Sequence, residues 1–129
     1  MALGAQSYYM SMVELQPDWT PRFPNSIGPN PFIYACQSEM PSVYNPTDWA
    51  SSWNFESWVD LNFQIDVPFY YSYSFISRGN GANATFTARA EGDLDCDNYI
   101  SLYEITGHVD NEGQVQTSVI WTNVFTEFE

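Results

Sequence analysis

The chain contains no lysine and little positive charge of any kind. Among its 129 residues, Asp and Glu number 16 and Lys and Arg number 3, which gives a net charge of −13. The three cations are Arg22, Arg78 and Arg89. Because nucleic acids and anionic membranes repel so acidic a surface, we expect neither as a partner. The charge suits cations, basic partners or plain solubility in a salty or extracellular setting.

The chain also lacks transmembrane and catalytic signatures. It has no run of apolar residues long enough to span a bilayer, so we expect no membrane insertion by this chain alone. The Gly79-Asn80-Gly81 turn has no accompanying Lys and cannot be a phosphate-binding loop. His108 has no cysteine or acidic partner at a catalytic spacing, which favours a surface strand residue. The sequence therefore predicts that the protein is not an enzyme.

Cysteine is scarce, with only Cys36 and Cys96 present. They do not form a CxxC motif, so zinc binding and thioredoxin-like chemistry fit poorly. A disulfide between them would close a loop of about 60 residues and remove roughly 4 kcal/mol of unfolded-state entropy. The alternative is two free buried thiols in a cytosolic protein. We favour the disulfide, because Cys96 lies in an acidic loop that the bond would anchor.

The chain is rich in apolar residues: 44% are hydrophobic and 18% are aromatic. This composition excludes disorder and predicts one globular domain over residues 1–129. Residues 1–16 predict a helix, because apolar side chains recur at spacings of four and three. The stripe comprises Met1, Ala5, Tyr8, Met12 and Leu15. Pro17 ends the helix, and its start without a cap is interpreted as a cut end.

The remainder predicts a long connection followed by a sheet. Residues 17–67 are rich in proline and aromatics and are expected to be an irregular connecting loop, pinned by its large side chains. Residues 68–122 predict four strands joined by turns, and residues 123–129 a tail. The predicted fold is α+β, in which the N-terminal helix covers a four-stranded antiparallel meander.

An acidic loop from Gly92 to Glu104 carries the most specific pattern. Counted from Asp93, oxygen-bearing residues occupy the positions that a calcium loop uses: Asp93, Asp95, Asp97, Tyr99 through its backbone carbonyl, Ser101 and Glu104. Asn98 stands where that loop prefers Gly, and Asn tolerates the left-handed turn. Because strands flank the loop, we expect a structural Ca²⁺ clip rather than a sensor. The alternative is a metal-free turn whose carboxylates cap backbone N–H groups or face water.

These features together resemble the globular part of bacterial type IV pilins and pseudopilins. The resemblance rests on the strand that runs into the acidic turn at residues 90–97, followed by Ser101 and Tyr103. The aromatic run at 69–75 and the ends 121–123 and 127–129 are similar to that family as well. The likeness covers about residues 50–129, and the first 50 match only in outline. The chain departs from the family in lacking the hydrophobic first half of the N-terminal helix.

The resemblance implies a structural subunit of an extracellular filament, as a major or minor pilin found at the cell surface and in the periplasm before assembly. Its expected partners are other pilin subunits. The missing helix half implies either a shortened chain or a split pilin, whose anchor is a separate short hydrophobic helix protein. The alternative function is a secreted calcium-dependent binding module, adhesin- or lectin-like. That alternative predicts Trp49, Trp53 or Trp58 exposed beside a groove, whereas the pilin interpretation predicts most of them buried.

Overall fold

A computed structural model describes residues 1–32, 36–38, 40–41 and 43–122. Three α-helices are present in these ranges: α1 (Ala2–Leu15), α2 (Pro46–Trp49) and α3 (Glu56–Asp60). The strands are β1 (Ile27–Asn30), β2 (Cys36–Ser38), β3 (Met40–Pro41), β4 (Ser72–Arg78), β5 (Thr85–Gly92), β6 (Ser101–Val109) and β7 (Val115–Thr122). The predicted tail at 123–129 lies outside the described residues. No helix in the described ranges is both long and apolar enough to cross a membrane.

The predicted N-terminal helix is confirmed as α1, although its buried face differs from the predicted stripe. Ala5, Tyr9 and Met12 are buried, whereas Leu15 is 78% exposed and Tyr8 is only half-buried. Both tyrosines fit a spacing of three or four from Ala5, so the periodicity alone could not choose between them. The structure favours Tyr9, whose ring packs 5.1 Å from that of Phe23.

The antiparallel sheet has five strands in the order β1-β4-β5-β6-β7, so the prediction of four strands was wrong by one. The four predicted strands are β4 to β7, joined as a meander. The additional strand, β1, pairs with β4 through Ile27 opposite Phe75 and Asn30 opposite Tyr73. Pro29 lies within β1 and cannot donate a ladder hydrogen bond. An edge strand tolerates this loss, because one of its sides has no neighbouring strand to bond.

The connection at 17–67 is more structured than predicted. Besides β1 it contains α2, a 3₁₀ turn at Ala50–Asn54, α3 and the short β2–β3 pair. Asn45 caps α2 by accepting a hydrogen bond from the backbone N–H of Thr47 at 3.0 Å. Helices α2 and α3 are only four and five residues long, so neither contains enough turns to show an apolar periodicity in the sequence.

The core lies between α1 and the sheet. Phe86 on β5 occupies its centre, with its ring 4.8 Å from that of Phe23 and stacked 5.3 Å from that of Phe75. Its neighbours Ala84 and Ala88 on the same face of β5 are also buried. A second aromatic group, formed largely by the connection, continues this core: Tyr44, Trp49, Trp53, Trp58, Phe63, Phe69 and Tyr73. The expectation that large side chains hold the connection is thereby confirmed.

Hydrogen bonds and a close approach fix α1 in place. Gln6 donates to the backbone carbonyl of Val115 at 3.2 Å, and the Tyr9 hydroxyl donates to that of Gly81 at 3.2 Å. On another side of the helix, Gly4 lies against the carbonyl group of Leu61, which directly follows α3, without room for a side chain. The helix is therefore held between the sheet and the connection.

Candidate functional site

The acidic loop connects β5 to β6, the two central strands of the meander, as predicted. It begins after Gly92, which is paired with Ser101 across the loop's base. Two residues of the loop adopt left-handed backbone conformations, Cys96 with φ of 61° and Asn98 with φ of 70°. The left-handed turn expected at Asn98 is therefore present, and Cys96 adds a second one that the sequence did not indicate.

Carboxylates organise the backbone of this loop. Asp93 is 8% exposed, and its two oxygens accept from the backbone N–H groups of Asp97 at 3.2 Å and Asn98 at 3.1 Å. Asp97 in turn accepts from the N–H of Tyr99 at 2.8 Å. Each bond satisfies a backbone N–H group of the loop that forms no hydrogen bond within the sheet. The loop thus contains the backbone caps expected for a metal-free turn.

The three aspartates also converge. Each of Asp93, Asp95 and Asp97 offers one carboxylate oxygen, and these oxygens lie within 4.8 Å of one another. Two oxygens on opposite sides of a Ca²⁺ ion, each at about 2.4 Å, are about 4.8 Å apart. The spacing therefore fits a shared hard cation. Partial desolvation, a hydrogen bond with Asp97 and charge repulsion from it raise the pKa of Asp95, as expected where carboxylates crowd together.

Glu104, a fourth predicted ligand, does not join this cluster. Glu104 lies on β6, directly opposite Arg89 on β5, and its Oε1 accepts from the Arg89 Nε at 2.7 Å. Ser101 is 3% exposed at the first position of β6. The Tyr99 side chain is 53% exposed, and its backbone N–H is bonded to Asp97. The structure thus brings together three of the six predicted ligand residues and places Glu104 elsewhere, while the Tyr99 carbonyl and the Ser101 hydroxyl stay predicted ligands. A bound Ca²⁺ would complete its six to eight oxygens with water or backbone carbonyls.

The predicted disulfide involves the same loop. Cys96 lies between Asp95 and Asp97 and is not a free thiol. The side chain of Cys36 is outside the described part of the structure, so the pairing of Cys36 with Cys96 stays a prediction. Such a bond would tie the acidic loop to the connection that precedes the sheet.

The tryptophans that distinguish the two functional hypotheses are mostly inside. Trp53 is 3% exposed and Trp58 is 1% exposed, while Trp49 is half-buried. The rings of Trp53 and Trp58 are centred 5.3 Å apart, and the Trp49 ring packs against that of Tyr44. Their principal role is to fill the core of the connection. An open cleft nevertheless runs beside Trp49 and Trp58, lined by exposed aromatic residues that the sequence pattern did not single out.

The chain was compared with protein-family models, curated proteins and solved structures. No protein-family model, no curated protein and no solved structure matches the chain.

Proposed function

We propose that this protein is a structural subunit of an extracellular type IV pilus or pseudopilus filament and has no catalytic role. The observation that carries the proposal is the position of α1 across the core face of an antiparallel sheet, whose central hairpin bears the acidic turn. The same combination underlies the sequence resemblance to pilins. In this role the chain passes through the periplasm and ends at the cell surface.

The way α1 is held supports a structural role. A filament subunit transmits load between its helix and its sheet, so the two must move as one unit. The hydrogen bonds from Gln6 to Val115 and from Tyr9 to Gly81 join the helix to two different parts of the sheet region. The buried Tyr9, Phe23 and Phe86 rings fill the space between them. Such packing resists sliding of the helix over the sheet.

The proposed partners are other pilin subunits and a hydrophobic helix that continues or docks beside α1. That helix is either part of a longer version of this chain or a separate short protein. The acidic loop adds rigidity at one end of the sheet, through its own backbone caps and through Ca²⁺ where the ion is available. The predicted Cys36–Cys96 bond would reinforce the same end.

The alternative function, a secreted calcium-dependent adhesin or lectin, receives less support. It predicted Trp49, Trp53 or Trp58 exposed beside a groove. Trp49 is half-buried and lines a cleft, but Trp53 and Trp58 are buried, and the burial of these two favours the filament subunit. The three aspartates are compatible with either function, since a calcium clip can serve both.

Deletion of the reading frame in the source organism tests the proposed function. We expect the number of surface filaments seen by negative-stain electron microscopy to fall, or their composition to change, and complementation with the intact gene to restore them. A matched complementation with a Trp19→Ala version, altered at an exposed aromatic residue, should restore them equally. Unchanged filaments in the deletion strain, with the wild-type chain recovered only as a monomer from the medium, would exclude the proposal.

A further inference from the structure

The tripeptide Asn83-Ala84-Thr85 has the pattern of an acceptor for N-linked glycans, which is Asn-X-Ser or Asn-X-Thr with any residue but proline in the middle. The chain contains one other asparagine with Ser or Thr two positions later, and this is Asn45, followed by Pro46 and Thr47. Because proline in the middle prevents recognition, the sequence offers one acceptor, at Asn83.

The acceptor lies in the turn that joins β4 to β5. A 3₁₀ turn at Gly81–Asn83 precedes β5, and Thr85 is the first residue of that strand. The side chains of Asn83 and Thr85 are exposed, whereas Ala84 between them is fully buried and has an extended backbone. Since side chains alternate along an extended backbone, burial of Ala84 turns both of its neighbours outward. The structure thus presents the amide and the hydroxyl of the motif together on the solvent side.

The side chain of Asn83 is also open to reaction. No described residue forms a hydrogen bond with its amide group, and its backbone N–H donates to the carbonyl of Asn80 at 3.1 Å. The side chain of Asn45 differs, because its Oδ1 accepts from the backbone N–H of Thr47 and caps α2. An enzyme would have to break that cap before it could use Asn45. Backbone geometry and proline therefore disqualify the same asparagine, and neither disqualifies Asn83.

The surroundings of Asn83 can accommodate a bulky hydrophilic group. Thr85 lies opposite Arg78 on β4 and His108 on β6, and both of these side chains are exposed. The acidic loop begins at the other end of β5, after Gly92, which is about 23 Å away at the usual rise of a strand. A glycan on Asn83 would therefore extend into solvent and leave both the core and the acidic loop uncovered.

We propose that Asn83 is a site of N-linked glycosylation, with an oligosaccharide carried on a lipid pyrophosphate as the donor. The Nδ2 of Asn83 forms a bond to the anomeric carbon of the first sugar and loses one proton. The bond between that carbon and the pyrophosphate oxygen breaks, and the lipid pyrophosphate leaves with the electron pair. The proposal rests on the extracellular location included in the proposed function, because this transfer takes place outside the cytoplasm, but it does not require a filament.

Mass spectrometry of the chain isolated from the surface of its source cells tests the proposal. Trypsin cleaves after arginine, so Arg78 and Arg89 release residues 79–89 as one peptide that contains the whole motif. We expect this peptide to carry the mass of an oligosaccharide. Electron-transfer fragment ions should place the added mass on Asn83 and not on Asn80, the other asparagine of the peptide.

Variants at exposed positions of the motif identify the linkage. Asn83→Gln and Thr85→Ala should each abolish the modification, whereas Thr85→Ser should retain it, because serine also satisfies the motif. Thr87→Ala is the matched control, since it removes a hydroxyl from the next residue on the same face of β5 but outside the motif, and it should keep the glycan.

Two results would overturn the proposal while leaving the extracellular location intact. One is recovery of peptide 79–89 from surface protein without any glycan. The other is a glycan that persists in Asn83→Gln, which would show attachment through a hydroxyl group. A chain found only in the cytoplasm would overturn the extracellular location together with this proposal, so the two failures are distinguishable.

Discussion

At the scale of single residues, the core depends on one glycine. Gly107 on β6 lies directly opposite Phe86 on β5, and a Cβ at position 107 would overlap the Phe86 ring. That ring cannot move aside easily, because Phe23 and Phe75 pack against it. A glycine inside a strand often marks such a close approach, and here an aromatic ring occupies the space that a side chain would take.

We therefore expect Gly107→Ala to lower the free energy of unfolding by about 1–3 kcal/mol, because the methyl group overpacks the core. Urea denaturation gives the value. Thr106→Ala is the matched control, since it changes the adjacent residue of β6 on the opposite face of the sheet. The control should change stability by at most about 1 kcal/mol. A Gly107→Ala protein as stable as the wild type would contradict the packing of Phe86 over Gly107.

Asp110 is a second residue with a defined role, in the turn between β6 and β7. Its Oδ1 accepts from the backbone N–H groups of Glu112 and Gln114, both at 2.9 Å. The bond from Gln114 and one from the Gln116 side chain are the chief causes of a pKa below the ordinary Asp value. A lowered native pKa means that the carboxylate stabilises the fold above the unfolded-state pKa of about 3.9. This contribution is lost as the pH falls through the native pKa.

Asp110→Ala should accordingly lower the melting temperature at neutral pH, and its difference from wild type should shrink as the pH falls below about 4. Calorimetric scans of both proteins across that range measure the difference. Glu112→Ala, which removes an exposed carboxylate from the same turn, serves as the control and should show a smaller effect at pH 7. A difference that is constant with pH would show that the charge of Asp110 does not matter.

At the scale of elements, the contact between α1 and the segment that follows α3 has an unusual consequence. An alanine normally stabilises a helix relative to glycine by about 1 kcal/mol. At Gly4 the added Cβ would overlap the carbonyl oxygen of Leu61, a backbone group that cannot rotate away. We expect Gly4→Ala to destabilise the protein in spite of its better helix propensity.

The comparison for this substitution is Ser7→Ala, at an exposed position of the same helix. It should be neutral or stabilising by a few tenths of a kcal/mol. Opposite signs for the two substitutions in chemical denaturation would support the docking of α1 against Leu61. A stabilised Gly4→Ala protein would mean that α1 does not approach Leu61 so closely.

The binding of Ca²⁺ by the acidic loop can be tested through the melting temperature. Excess Ca²⁺ should raise the melting temperature, because ligand binding to the folded state adds about 2.7 kcal/mol at 100 times the dissociation constant. Removal of the ion by chelator should reverse the rise. Asp95→Asn changes an exposed member of the cluster and should abolish the response, whereas Asp66→Asn, exposed and outside it, should not. A response equal to that of NaCl at matched ionic strength would exclude a specific site.

The sequence predicted those elements whose pattern is local. Helix α1 and strands β4 to β7 follow from periodicity and turn residues, and Asn98 follows from its tolerance of a left-handed turn. Strand β1 was missed because Pro29 argues against a strand wherever its position in the sheet is unknown. Glu104 was expected in the loop because it fits a linear spacing, yet the register of β5 and β6 places it opposite Arg89. Such pairings join residues that are far apart in the sequence, so a local sequence pattern cannot predict them.

At the scale of the whole molecule, the net charge of the chain opposes the contact between subunits that the proposed filament requires. A net charge of −13 opposes close contact between copies of the chain, whereas a filament requires it. In the proposed filament, apolar or cationic surface supplied by a partner would offset this repulsion, which is the role proposed for an added hydrophobic helix. The sequence could suggest this assembly only through resemblance to pilins, since one chain's periodicity carries no direct information about its neighbours.

Cryo-electron microscopy of filaments sheared from the source cells tests the central claim most directly. We expect each subunit density on the filament surface to enclose a helix packed across a five-stranded antiparallel sheet, with the acidic loop between its central strands and the helix continuing into the filament core. Filaments whose density is fully explained by other proteins, with no volume for this domain, would contradict the claim.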